Sequence, residues 1–318
     1  MSPPLFVLGV RRSGTTLLRV MLDRNSQLAV PDESYFIPQL AERHRGSLDA
    51  DAFVDDLRRL PTLREWDVPL EEVRARLPAV GDVGAAIATV YDVYAERHGK
   101  RRWGDKTPLY MQYLGLIERI FPEARYVHLI RDGRDAALSF LEMPRGIVTE
   151  TWAHPRGAAG VACQWRTEVA AARRLGARVG PRRYLEVRYE ALVNDPEGVV
   201  REICRFADLP YESEMLEYPG SVDLSAKPHQ RSLAKAPTPG LRDWRTQMAA
   251  PDLTTFEHVA GDLLSELGYE ISRPAAHGPD LYGRFRLASY GTRMALWRGT
   301  GFAVRRSPLW RRRHPLLV

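Results

Sequence analysis

Leu5-Phe6-Val7-Leu8-Gly9-Val10-Arg11-Arg12-Ser13-Gly14-Thr15-Thr16-Leu17-Leu18 is the stretch whose reading decides the fold. Its four leading apolar residues have the character of a parallel strand buried on both faces, and Leu17, Leu18, Met21 and Leu22 then recur on one helix face. A strand, a polar loop and a helix in that order bring backbone N–H groups and a helix N-terminus onto anionic oxygens. Gly9 and Gly14 have the spacing of a GxxxxGK[ST] phosphate loop, but Thr15 stands where that loop carries its lysine. A nucleoside triphosphatase needs that lysine on the terminal phosphates. Here the charge precedes the glycine, at Arg11 and Arg12, so the loop is expected to hold its anion in another way.

Outward from this stretch, the pattern predicts strands at Leu28–Val30, Tyr126–Ile130 and Tyr184–Val187, alternating with helices such as Asp82–Arg97, Ala158–Leu175 and Pro251–Leu267. That alternation defines an α/β class: a P-loop-like three-layer fold with a mostly parallel central sheet. Residues 41–100 are charged and punctuated by Pro61, Pro69 and Pro78, which reads as a helical insertion over the sheet. A chain of 318 residues accommodates one such domain, expected at 1–270, with an Arg-rich extension at 271–318. Cys163 and Cys204 lie among apolar neighbours and are expected as buried thiols. No metal-ligand cluster is visible in the sequence, and no metal is expected.

The net charge is +6, yet residues 281–318 hold nine arginines and no Asp or Glu, which leaves the rest of the chain near −3. A uniformly basic nucleic-acid-binding domain does not have this distribution, and no nucleic-acid partner is expected. The tail mixes its arginines with Leu281, Phe285, Tyr290, Met294, Trp297 and Trp310. It reads as lying on an anionic membrane surface, packing on its own domain, or meeting a second subunit of a homodimer. The chain opens within a few residues of its first strand, with no room for a signal-peptide apolar region, so a cytoplasmic location is expected, with attachment at the inner membrane face left open.

Ligands of open α/β sheets bind beyond the carboxyl ends of strands. Arg131 emerges there from Tyr126–Ile130, with Ser139 about two turns along the next helix. Tyr189 emerges likewise after Tyr184–Val187. Glu33 follows the short second strand, and reads either as a carboxylate at the mouth of the site or as a first-turn carboxylate favoured by a helix dipole. Lys106 sits in Trp103-Gly104-Asp105-Lys106-Thr107-Pro108, a polar kink, where it serves the site or pairs with Asp105. His128 reads as a core histidine. Residues 219–243 form a basic loop without apolar periodicity, expected as a lid on an anionic ligand.

Arg12-Ser13-Gly14-Thr15-Thr16-Leu17-Leu18-Arg19, Asp32-Glu33, Asp105-Lys106-Thr107-Pro108, Ile130-Arg131-Asp132-Gly133-Arg134 with Ser139, and Tyr189-Glu190-Ala191-Leu192 occur in one order. Together they resemble the sulfotransferases that use 3′-phosphoadenosine 5′-phosphosulfate, most of all the branch of tyrosylprotein sulfotransferases and related bacterial enzymes, over residues 4 to 270. The resemblance implies that Arg12, Ser13, Gly14, Thr15 and Thr16 hold the phosphosulfate, that Arg131 and Ser139 hold the 3′-phosphate, and that Tyr189 lies near the nucleotide. It also implies Glu33 as catalytic base, Lys106, with Arg12, as stabilisers of transfer, and 3′-phosphoadenosine 5′-phosphate as product. The insertion itself reads equally as a wall of the acceptor pocket or as a plain solvated helical layer. The family usually has proline in place of Arg11. Ser225, Lys235 and Arg242 of the basic loop are candidate nucleotide contacts. The acceptor hydroxyl belongs to a carbohydrate, lipid, phenol or tyrosine. Rival readings are a degenerate P-loop kinase or NTPase and a non-catalytic nucleotide-binding protein.

Overall fold

The computed structural model describes residues 2–46, 48–77, 82–143, 155–218, 242–272 and 279–306. In chain order, β1 (Leu5–Leu8) leads into α1 (Thr15–Asp23) and β2 (Leu28–Ala29). Five helices follow: α2 (Ile37–Arg43), α3 (Ala50–Arg58), α4 (Pro61–Glu65), α5 (Leu70–Arg76) and α6 (Val83–Arg97). After β3 (Arg102–Asp105) come a 3₁₀ turn at Pro108–Gln112 and α7 (Leu114–Ile120). β4 (Arg125–Ile130) then leads through α8 (Gly133–Leu141) and α9 (Gly157–Val179) to β5 (Tyr184–Arg188). Beyond it lie α10 (Tyr189–Asn194), α11 (Pro196–Ala207), α12 (Trp244–Gln247), α13 (Ala250–Glu266) and α14 (Leu281–Arg306).

The five strands form one sheet in the order β2-β3-β1-β4-β5, and every pairing is parallel. β1 is central, which is why its residues read as an unbroken apolar run. Leu5 and Val7 enter one core, shared with α1 and α11, while Phe6 and Leu8 enter the other, shared with α2 through α7. The result is the α/β, three-layer arrangement expected. A third core, around Trp165 and Phe256, joins α8, α9, α13 and α14. Local signals start the helices where the chain must turn. Asp195 accepts from the Gly198 N–H at 2.9 Å with Pro196 at the first helical position, and Asp132 caps α8 in the same manner.

One element differs from the sequence reading. Trp103-Gly104-Asp105 is not a polar kink but the body of β3, which lies between β1 and β2 with Leu5 opposite Gly104 and Phe6 opposite Asp105. Its burial comes from tertiary packing: Trp103 stacks on Tyr91 of α6 at 4.3 Å between ring centroids. His128 is a core residue, with Nδ1 2.6 Å from the Tyr184 hydroxyl and burial lowering its pKa to about 3. Both cysteines are buried free thiols.

Candidate active site

Because all five strands are parallel, their carboxyl ends share one edge of the sheet, and each is followed by a segment singled out above. β1 leads to the Gly9–Thr16 loop, β2 to Glu33, β3 to Lys106, β4 to Arg131 and β5 to Tyr189.

The loop turns through two left-handed residues, Arg12 (φ 70°) and Gly14 (φ 89°), and α1 begins without a side-chain cap. Its first-turn N–H groups are therefore not taken by a capping side chain, which suits an anion. Gly14 also lies against the Tyr189 ring, where a Cβ would come within 2.3 Å. Arg12 Nε donates to Ser139 Oγ at 3.0 Å, and Arg131 donates to the Arg12 carbonyl at 3.2 Å. The Arg131 guanidinium sits over the Tyr189 ring at 4.5 Å. Burial, then the like charges of Arg131 and Arg242, lowers the pKa of Arg12. Ser13 Oγ and Arg131 Nε are buried and have no hydrogen-bond partner among the described residues. This is a cationic pocket with donors still to be satisfied.

Residues that sequence reasoning passed over hold Arg131 in place. Trp165 Nε1 donates to the Arg131 carbonyl at 3.1 Å, and Glu190 accepts from the Asp132 N–H at 2.9 Å. Arg134, fully buried, pairs with Asp132 at 2.8 Å and Glu257 at 2.7 Å and stacks on Trp244 at 3.5 Å. Two arginines of one short motif thus do different work: Arg131 faces the pocket's loop and Arg134 ties α8 to α12 and α13. Arg242 pairs with Glu142 near the same cluster. Ser225 and Lys235 lie outside the described residues, as does the greater part of the basic loop. Arg11 is partly exposed.

Across the cleft, Lys106 is 2% exposed and donates to Glu33 Oε1 at 2.5 Å and to Thr16 Oγ1 at 3.3 Å. Lys106 therefore does not pair with Asp105. Asp105 instead accepts from the hydroxyls of Ser34 at 2.6 Å and Tyr91 at 2.7 Å, and burial raises its pKa to about 6. The Tyr110 hydroxyl lies 2.6 Å from Ser34 Oγ, and Thr107 Oγ1 accepts from the Ser34 N–H at 3.0 Å. Burial lowers the pKa of Lys106 while the Glu33 carboxylate opposes the fall. Nor is Glu33 a first-turn carboxylate, since the next helix starts at Ile37. Its second oxygen accepts from the hydroxyl of Tyr35, a residue held at φ 56°. Two non-glycine residues in the left-handed region, Arg12 and Tyr35, flank one cleft, as strained backbone does at functional sites.

Residues 3–213 match the profile of the Sulfotransferase family, and the chain belongs to that family. It is a sulfotransferase. Protein-tyrosine sulfotransferase A of Caenorhabditis elegans is 27% identical over 295 residues, covering 89% of this chain and 70% of the worm protein. Nodulation protein NoeE of Sinorhizobium fredii (strain NBRC 101917 / NGR234) is 27% identical over 308 residues, covering 88% and 69% respectively. Among solved structures, the sulfotransferase domain from the Synechococcus PCC 7002 olefin synthase superposes with a TM-score of 0.58 at 29% identity, covering 85% of this chain and 97% of that domain.

Proposed function

We propose that this sulfotransferase takes its sulfuryl group from 3′-phosphoadenosine 5′-phosphosulfate and passes it to an acceptor hydroxyl, with Glu33 as base. The observation that carries the reading is the Lys106–Glu33 pair, which sits at the strand ends against Thr16 of the anion loop. The unsatisfied Ser13 Oγ and Arg131 Nε fit a ligand with anionic oxygens. In the same reading Arg12, Ser13, Thr15, Thr16 and the loop N–H groups hold the phosphosulfate, Arg131 and Ser139 the 3′-phosphate, and Tyr189 the nucleotide's flank, with Ser225, Lys235 and Arg242 closing over it.

The bound donor supplies a sulfuryl group on a phosphate leaving group. Glu33, paired with Lys106, offers a carboxylate oxygen to the acceptor O–H and takes its proton as the acceptor oxygen bonds to sulfur and the sulfur–phosphate oxygen bond breaks. Lys106 and Arg12 stabilise the charge that gathers on the departing oxygen, a preorganised electrostatic role. Holding donor and acceptor in line is the further contribution, and the insertion between Glu33 and Lys106 supplies the acceptor side of the cleft.

A phenolic acceptor is the reading we favour within this class. The Tyr35 hydroxyl already donates to Glu33, so a phenol O–H is compatible with that carboxylate, and the worm relative is a protein-tyrosine sulfotransferase by name. The test is transfer from labelled donor to panels of tyrosine peptides, phenols, glycans and lipids by wild type and Glu33→Gln. Turnover of the variant should fall about 10²- to 10⁴-fold with donor affinity retained. Near-normal turnover removes Glu33 as base.

A further inference from the structure

We propose that the outward face of α14 docks on an anionic lipid surface. Its inner side is committed to the protein: Tyr290 and Met294 are buried, and Leu287 and Trp297 pack on the same core beside α9 and α13. These four positions recur at helical spacing and define one face.

A second apolar strip runs along the opposite face. Leu281 is 84% exposed, Phe285 70% and Leu296 59%, with Tyr282 beside them at 45%. At about 100° per residue, these four side chains fall within roughly one third of the helix circumference. They account for nearly all the large exposed hydrophobic residues among the described ones, Leu141 being the exception. Arginines border the strip. Arg284 is exposed on one side, its Nε donating to the Pro279 carbonyl at 3.0 Å, and on the other Arg286 and Arg293 lie by the rings of Tyr282 and Tyr290. From Leu281 to the last residue there is no Asp or Glu to offset nine arginines.

An apolar strip edged by arginines is the pattern of a helix lying in a headgroup layer. Apolar side chains enter the acyl boundary and the arginines meet lipid phosphates, an attraction that requires an anionic leaflet. A second copy of this chain is a poor occupant, since two arginine-rich faces without carboxylates repel. Nucleic acid would answer the charge and leave the Leu281–Phe285–Leu296 strip in water. Among the described residues no helix is long and apolar enough to cross a membrane, which fits a helix lying flat.

The experiment is flotation of the full chain with vesicles of phosphatidylcholine alone and of phosphatidylcholine mixed with phosphatidylglycerol, at low and high salt. Wild type should partition into the anionic vesicles at least about ten-fold better than into neutral ones, and salt should weaken the preference. Leu281→Ser/Phe285→Ser/Leu296→Ser should abolish partitioning, Phe285→Ser alone should weaken it several-fold, and Arg284→Gln should reduce only the anionic preference. Because these side chains are exposed, the melting temperature should stay unchanged. Equal binding to both vesicle types, or unaltered binding by Phe285→Ser, overturns the proposal. So does a wild-type dimer in solution that the triple variant loses, because the strip then faces a second copy.

Discussion

The two halves of the cleft are built on opposite electrostatic plans. On one side Arg12 and Arg131 crowd together around Ser139 and Tyr189, with like charges facing one another and buried donors unpaired among the described residues. On the other, Lys106 is matched to Glu33, and the hydroxyls of Ser34, Tyr91, Thr107 and Tyr110 gather around the buried Asp105. The first half gathers cations and leaves Ser13 Oγ and Arg131 Nε unpaired among the described residues. The second pairs its buried cation with a carboxylate and leaves one oxygen of Asp105 unpaired among them. In the proposed reaction the site grips a polyanion and moves one proton, and it keeps the two tasks apart by placing them after different strands.

That contrast can be broken by substitution. Lys106→Met should lower kcat by about 10²–10³-fold with donor affinity little changed, and a loss of affinity instead would assign Lys106 to the gripping half. Arg131→Met should raise the donor dissociation constant by about 10- to 100-fold while the melting curve holds. Arg134→Met, two peptide bonds further on than Asp132, should do the reverse, costing about 3–5 kcal/mol of stability by leaving Asp132 and Glu257 buried without their cation. Equal effects of the two arginine variants on binding would erase the division of labour drawn here.

The smallest effect sharpens the second half. Asp105 has a folded pKa near 6, above that of an unfolded carboxylate, so between those values the native state holds the extra proton and stability declines as pH rises. The decline is complete above about pH 6, and amounts to roughly 2–4 kcal/mol for a shift of this size. Asp105→Asn removes this titration. Its stability relative to wild type should therefore climb from about pH 4 to pH 6 and stay level beyond, as read from urea melts. A difference that is flat across this window would show that Asp105 is ionised in the native state throughout.

The gripping half was legible in the sequence because each of its parts is local: a loop between an apolar strand and helix, and an arginine at the end of another such strand. In the other half Glu33 and Lys106 were named through the resemblance, but their surroundings were not legible. β3 hides behind Arg102, Gly104 and Asp105, polar or small residues that are buried only because Trp103 stacks on α6 and because a Cβ at Gly104 would stand 2.7 Å from the Leu5 carbonyl. Ser34, Tyr91 and Tyr110 are separated from one another along the chain and meet only around Asp105, so no spacing rule could assemble them. Trp165, which fixes Arg131 through the backbone, carries no motif of its own, and Glu190, quoted within one, had no role assigned to it. The alternative partner considered for Lys106, its neighbour Asp105, is taken up by the hydroxyls of Ser34 and Tyr91, while Lys106 reaches Glu33 and Thr16.

Glu33 and Lys106 are 73 residues apart, and the five helices α2 to α6 all lie between them. The chain passes one member of the proposed catalytic pair as it leaves β2 and the other as it leaves β3, so the ion pair is a clasp closing the whole helical insertion.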